Sequence, residues 1–536
     1  MAVLTRAGQW GRNNAAAMVG AAASLIVAVV LFTRFSLHDT LTRDQAIYAY
    51  GGQRMAHGVP PYSSIFDPKT PMATLVSGVA ASLARLTGHN ELTAIRLAFF
   101  LIALLMVLAI YVLALRLWKS VAGAVVAAVV FASFTLIASD ALGGPDAKAP
   151  GILAAILTMW LVIERRWYWA AFAGAVAFLS WQPLVIYPVM VGVIVLADGV
   201  RKREWRTFAR TLAGAVSPFV VVTIYFAATQ GLGDFWQSAF EFPATGIVRP
   251  PYNFSDHMQH IFQTVTDAYG FSGALLWAGD LILLGLVIAH LVRHRHNLRS
   301  AVRNPLVCIV LVTMLAELGY AIYDFEGPPD VYPFLAYPPL GFAGLTALAV
   351  KSFSSITLRR TATAAALAAV AVLAGFSCVW FTDSPVHDNG LRAQQADACA
   401  VDRILGHKAG LLALGDPVPF VMTRRVSPDR FIYLSESVDL WKINHTPGGF
   451  EGWTRQIQAD HPALVVLQQW PGQYGEDMKF WLKSVGYHSR FAGGWHLFLR
   501  PATIESAVER GVALTPRPTA YAADLDGREL PPGSCR

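Results

Sequence analysis

The sequence predicts an α-helical polytopic membrane protein of about eleven spans, with one further re-entrant or surface helix and a small C-terminal α/β domain. Three observations predict it. Of the 536 residues, 55% are apolar and only 14% charged, and the mean hydropathy is +0.45, which is not the balance of a soluble globular chain. Apolar runs of roughly the ~20 residues that cross a bilayer recur from residue 15 to residue 381. Beyond Asp383 the composition shifts to that of one compact mixed domain, so the expected division is 1–382 in the membrane and 383–536 outside it.

The first run is 15–35. Arg6 and Arg12 precede it in the manner of a signal peptide, but the many runs that follow point to an uncleaved first span. A polar loop, 37–70, comes next, and then Met72–Leu86, which is apolar over only 15 residues. The remaining runs lie at about 93–115, 121–138, 149–163, 167–181, 183–197, 207–228, 271–292, 305–323, 333–350 and 361–381. In the C-terminal part, Leu411–Gly415 and Ala463–Gln468 read as buried strands, Phe480–Val485 as a short helix, and Phe491–Leu499 with Gly493-Gly494 as a closing hairpin.

Charge orders the spans. The turns after alternate runs hold fifteen Lys and Arg, from Arg116 and Lys119 to Arg359 and Arg360, against only Glu164, Asp198 and Glu204. The other loops hold acids, among them Asp39, Asp44, Asp67, Asp140, Asp146, Asp234, Glu241, Asp324, Glu326 and Asp330. By the positive-inside rule the basic set is cytoplasmic. That places Asp44 and Asp146 on one side only if Met72–Leu86 does not cross, and its shortness fits a re-entrant or surface-lying helix. The net charge of +7 then reports topology and gives no reason to expect a nucleic-acid partner. The expected location is the plasma membrane of a bacterium, with the C-terminal domain extracytoplasmic.

Cysteine usage excludes a cysteine metal site: Cys308 and Cys378 lie inside apolar runs, Cys399 and Cys535 in the tail, with no CxxC spacing. Cys399 and Cys535 bracket the outer domain and are expected to pair. His257 and His260 lie three apart without a third ligand, the pattern of surface histidines. Glu317 and Asp280 fall inside apolar runs, where carboxylates are costly and usually functional unless hydrated near a span end.

The loop after the first span reads RDQAIYAYGGQRMAHGVPPY and, some twenty residues on, FDPKTPM. This resembles the first outer loop of the GT-C glycosyltransferases, in particular the protein-mannosyltransferase and aminoarabinose-transferase branch. There an acid, an acid or amide, and a tyrosine open the loop, and a Lys-Pro-Pro-like element closes it. Asp44, Gln45 and Tyr48 fit the first part; Asp67, Pro68, Lys69 and Pro71 fit the second. GGPDAKA places Asp146 where the family carries an acid in its next outer loop. Three departures stand out: Gln45 replaces the frequent Glu, Thr70 interrupts the Lys-Pro-Pro, and Gly144 precedes Pro145 in place of arginine.

The resemblance implies transfer of a sugar from a polyprenyl-phosphate donor to a glycan, lipid or protein acceptor, with inversion. Such a transfer needs a base for the acceptor hydroxyl and positive charge for the leaving phosphate. Asp44 is the candidate base, with Asp146 orienting it or sharing a divalent ion, Mg²⁺ or Mn²⁺. Lys69 and Arg249, with Lys148 behind them, are the candidate phosphate partners. Asp39 is either a second ligand or a solvated neighbour, and Glu241 a loop acid on the substrate side. Gln45 and Tyr48 complete the expected binding set. Two other readings compete: a flippase for a lipid-linked glycan, which would concentrate polar residues along the spans, and a non-catalytic envelope-assembly scaffold, for which Asp44 would be dispensable.

Overall fold

The computed structural model describes residues 2–202, 205–246, 253–297, 304–307, 312–325, 327–383, 390–406, 410–435, 437–468, 470, 472–512 and 514. It falls into two compact units. One comprises Met1–Ser36, Arg96–Ile224 and Pro251–His387; the other comprises Leu37–Ile95, Tyr225–Pro250 and Asp388–Arg536. The C-terminal segment therefore shares its unit with the acidic loop after the first span and with residues 225–250.

The first unit is helical. Among the described residues, six helices are long and apolar enough to cross a membrane: Ala15–Phe32, Glu91–Trp118, Trp205–Ala228, Phe271–Arg293, Pro328–Ser352 and Ile356–Thr382. Val121–Ala132 and Thr135–Gly143 together form a seventh, bent by 66°. The shorter apolar helices Lys148–Ile163, Trp167–Phe178, Gln182–Leu196 and Val312–Tyr323 cover the remaining predicted runs. The bend has a local cause. Ser133 Oγ donates back to Val129 O (2.8 Å), Phe134 is extended, and the N–H released at Thr135 donates to Ser272 Oγ (3.3 Å). A break inside a span is tolerable where a neighbouring helix takes up the freed backbone group. Leu101, Val221, Leu281 and Val372 are more than half exposed, as side chains that meet lipid must be. Small residues close the interior: a Cβ on Gly279 would lie 2.5 Å from Pro338 Cβ, so glycine sets how closely those two helices approach.

The second unit begins with a helical hairpin, α1 (Arg43–Ala56) and α2 (Met72–Thr87). Thr42 and Gln45 form a capping box: the Gln45 N–H donates to Thr42 Oγ1 (3.3 Å) and the Thr42 N–H to Gln45 Oε1 (3.1 Å). α2 buries its small face, Ala73, Thr74, Ser77, Gly78 and Ala81, and exposes Val79, Leu83 and Leu86. Sixteen residues span only about 24 Å at ~1.5 Å per residue, short of a ~30 Å hydrocarbon core. An apolar outward face on a short helix suits an interfacial position. The two helices meet at Gly52, where a Cβ would lie 2.6 Å from Ser77 Cβ.

The C-terminal segment adds a four-stranded sheet in the order β1-β2-β4-β3, with β1 Leu411–Leu414 parallel to β2 Leu464–Leu467. The hairpin of β3 (His488–Ala492) and β4 (Trp495–Leu499) packs antiparallel beside β2. Both expected strands and the hairpin form. The helix expected at Phe480–Val485 begins earlier, as Gln473–Ser484, with Gly475, Met478 and Leu482 buried along one face. Helix Pro501–Glu509 was not expected. The segment is bound to the acidic loop at several points. Leu41 and the Gln394 amide exchange two hydrogen bonds of 2.9 Å, and the Phe66 N–H donates to Arg430 O (2.8 Å). Phe66 also stacks on Phe431, with centroids 4.7 Å apart.

Two predictions concern this segment. Cys399 is disulfide-bonded; Cys535, its expected partner, lies outside the described residues. Non-reducing mass spectrometry of a proteolytic digest should recover the Cys399 peptide joined to the Cys535 peptide, and two alkylatable thiols at these positions would exclude the bridge. Asp397 is buried and accepts a hydrogen bond from the Gly494 N–H (3.2 Å) in the β3–β4 turn. Burial raises its carboxyl to about 6, with the Gly494 N–H pulling the other way. Its folded pKa thus lies above the unfolded ~3.9. Its contribution to stability is fully present below about pH 4 and is lost as pH rises through about 6. Asp397→Asn keeps the acceptor oxygen and should flatten thermal stability between pH 4 and 7. Equal pH slopes in wild type and variant would refute this.

Candidate active site

In the second unit the candidate base stands at the start of α1. Asp44 has a side chain 55% exposed, with one carboxylate oxygen 3.7 Å from Arg43 Nε. Arg43 is itself engaged: Nη1 donates to Ser435 Oγ at 2.6 Å, and its guanidinium lies 4.8 Å from the Tyr433 ring centre. Beneath them Asp416, 5% exposed, follows β1 and accepts the Val418 N–H at 2.8 Å. Burial pushes the Asp416 carboxyl up to about 6; the Val418 N–H and Arg43 lower it, and Asp44 raises it. Arg43 thus acts on two carboxylates, the exposed Asp44 and the buried Asp416.

The Lys-Pro element is a fixed turn. Asp67, buried, accepts the Lys69 N–H at 3.0 Å, and Tyr62 O–H donates to Lys69 O at 2.7 Å. Burial, then Asp67 and Tyr48, hold the Tyr62 phenol well above its usual range. The turn presents the Lys69 side chain half-buried. Tyr48 and Asp39 are buried, and the Gln45 carbonyl oxygen serves the helix cap. Glu241 ends a π turn, Gln237–Glu241, and is exposed. Arg249 lies outside the described residues.

The first unit holds a separate polar group. Asp146 accepts the Lys148 N–H, while Lys148 Nζ reaches Asp330 Oδ1 at 2.6 Å and lies 4.6 Å from the Trp181 ring centre. Lys148, expected behind the phosphate, is thus committed to a buried ion pair. Tyr332 O–H donates to the Asp140 carboxylate. Asp140, Asp146 and Tyr332 line a small cavity of about 20 Å³ whose other wall is apolar, with Phe99, Met106 and Ile137. Of these, Asp140 and Asp330 were visible in the sequence only as acids of the non-basic loops. Tyr332 carried no signal at all. Deeper in the same unit Glu317 is buried and accepts Tyr187 O–H at 2.5 Å. His257 is bonded to Ile322 O (2.8 Å) and His260 packs on Phe325.

Among the described residues, no group of three or more His, Cys, Asp or Glu side chains is placed to hold a metal ion.

Residues 69–226 match the family model described as dolichyl-phosphate-mannose-protein mannosyltransferase. That stretch includes Lys69, Asp146 and Lys148 and starts after Asp44. The crystal structure of ArnT from Cupriavidus metallidurans in the apo state superposes with a TM-score of 0.59, covering 92% of this chain and 98% of that one at 14% identity. The chain has the fold of that ArnT structure. ArnT from the same organism bound to undecaprenyl phosphate gives a TM-score of 0.55, with 90% and 97% covered at 14% identity. No curated protein matches the chain by sequence. Its apolar helices and C-terminal sheet make it a multi-pass membrane protein with a small α/β C-terminal element, as the hydropathy and the strand pattern predict.

Proposed function

We propose that this protein is a membrane glycosyltransferase that moves a sugar from a polyprenyl-phosphate donor to a hydroxyl of a cell-envelope acceptor, on the outer face of a bacterial plasma membrane. The observation that carries the reading is the likeness, over nine-tenths of the chain, to an ArnT structure bound to undecaprenyl phosphate.

In this reading Asp44 takes the acceptor proton as the acceptor oxygen attacks the anomeric carbon. The bond from that carbon to the phosphate oxygen breaks, and the electron pair leaves with the polyprenyl phosphate. A single displacement of this kind inverts the anomeric centre. An exposed carboxylate is free to meet a hydroxyl, whereas Asp67 and Asp416 are buried. Lys69 and Arg249 supply positive charge to the leaving phosphate. Asp146, held by the Lys148 N–H, accepts hydroxyl hydrogen bonds from the bound ligand. No step runs through a metal.

The deciding experiment incubates purified protein in lipid with radiolabelled polyprenyl-phosphate mannose, arabinose and aminoarabinose and an envelope-lipid extract. One donor should lose its label to an acceptor. Retention of label by every donor, with the lipid moved across vesicle leaflets instead, would favour the flippase. The topology has its own test. His89, exposed just beyond α2, should react as His89→Cys with a membrane-impermeant thiol reagent in intact cells, with Cys308, Cys378, Cys399 and Cys535 replaced by alanine. Labelling only after permeabilisation would reverse the sidedness.

A further inference from the structure

We infer that Arg43, clamped by the C-terminal segment through Ser435 and Tyr433, is the positioning residue that holds Asp44 in its working geometry. The C-terminal segment would then act on the transfer step itself. This rests on the reading of Asp44 as the base.

Arg43 and Asp44 are neighbours in the first turn of α1, so their side chains diverge unless something fixes one of them. The Ser435 hydroxyl, 392 positions away, fixes Arg43 at 2.6 Å, and the Tyr433 ring covers the guanidinium at 4.8 Å. Tyr433 is 1% exposed, so the platform does not move freely. The strap that carries both is pinned along its length. Arg430 Nη1 binds Asp234 Oδ1 at 2.6 Å, and the Ser427 N–H donates to Tyr50 OH at 2.9 Å. A rigid strap is the kind of support that fixes a catalytic group.

The test measures kcat and KM for the donor that the wild type uses, with melting temperatures as a check on folding. Arg43→Met should lower kcat about 10-fold or more, the scale of a displaced reacting group, with donor KM nearly unchanged. Arg43→Lys should recover part of the loss, and Ser435→Ala should give a smaller loss of the same kind. Arg43→Met should add nothing in an Asp44→Asn background, because the two act as one unit. Should Arg43→Met fail to fold, Arg43→Lys and Ser435→Ala carry the comparison. With Asp44→Asn inactive, an unchanged kcat in the Arg43 and Ser435 variants, or an effect confined to KM, overturns the inference alone. An active Asp44→Asn overturns the base and the inference together.

Discussion

Asp44→Asn is expected to lower sugar transfer by about 10²–10⁴-fold, the usual worth of a general base, while leaving the protein folded and able to bind donor. The substitution keeps size and shape and removes only the basic oxygen. Its structural cost should be small, because the side chain is 55% exposed and its contact with Arg43 is a loose 3.7 Å, the class of ion pair worth about 0–1 kcal/mol. The capping of α1 is done by Thr42 and Gln45, not by Asp44, so the helix start survives the change. Single-turnover transfer and donor retention, measured on the same preparation, separate the two effects. A variant retaining more than about a tenth of the wild-type rate would remove Asp44 from the chemistry and leave the scaffold reading in its place.

What the sequence could say about this site depended on distance along the chain. Asp44, Gln45, Tyr48 and Lys69 stand within 26 positions of one another, so a motif could gather them. The same locality made the spans legible, since hydropathy is a property of consecutive residues. The partners of Arg43 are another matter. Ser435 and Tyr433 lie in an irregular strap with no period and no motif, and only folding brings them to α1. Lys148 was legible as a cation and not as one already paired, because Asp330 lies 182 positions away. Gln45 shows the reverse case. A motif residue that the family resemblance made a binding candidate is also the third residue of a capping box, and the local hydrogen bonds account for its type.

Lys148→Met should be among the most damaging changes to stability, costing about 3–5 kcal/mol, the scale on which one partner of a buried ion pair is lost. The pair is short, 2.6 Å, and its side chains are only 9% and 11% exposed. Removing the ammonium leaves Asp330 charged, with Asp140 and Asp146 in the same unit. It also strips the Trp181 ring of the cation that lies 4.6 Å from its centre. The exposed pair Arg116–Glu164, at 3.2 Å with side chains 56% and 28% exposed, is the control: Arg116→Met should cost about 0–1 kcal/mol. Adding Asp330→Leu to Lys148→Met removes the stranded carboxylate and should return much of the lost stability, since an apolar pair of similar volume often replaces a buried ion pair without loss. Thermal unfolding in detergent of the single and double variants measures the coupling. A Lys148→Met protein that melts with the wild type, or a double variant no better than the single, would mean that the pair does not hold this part of the helical unit together.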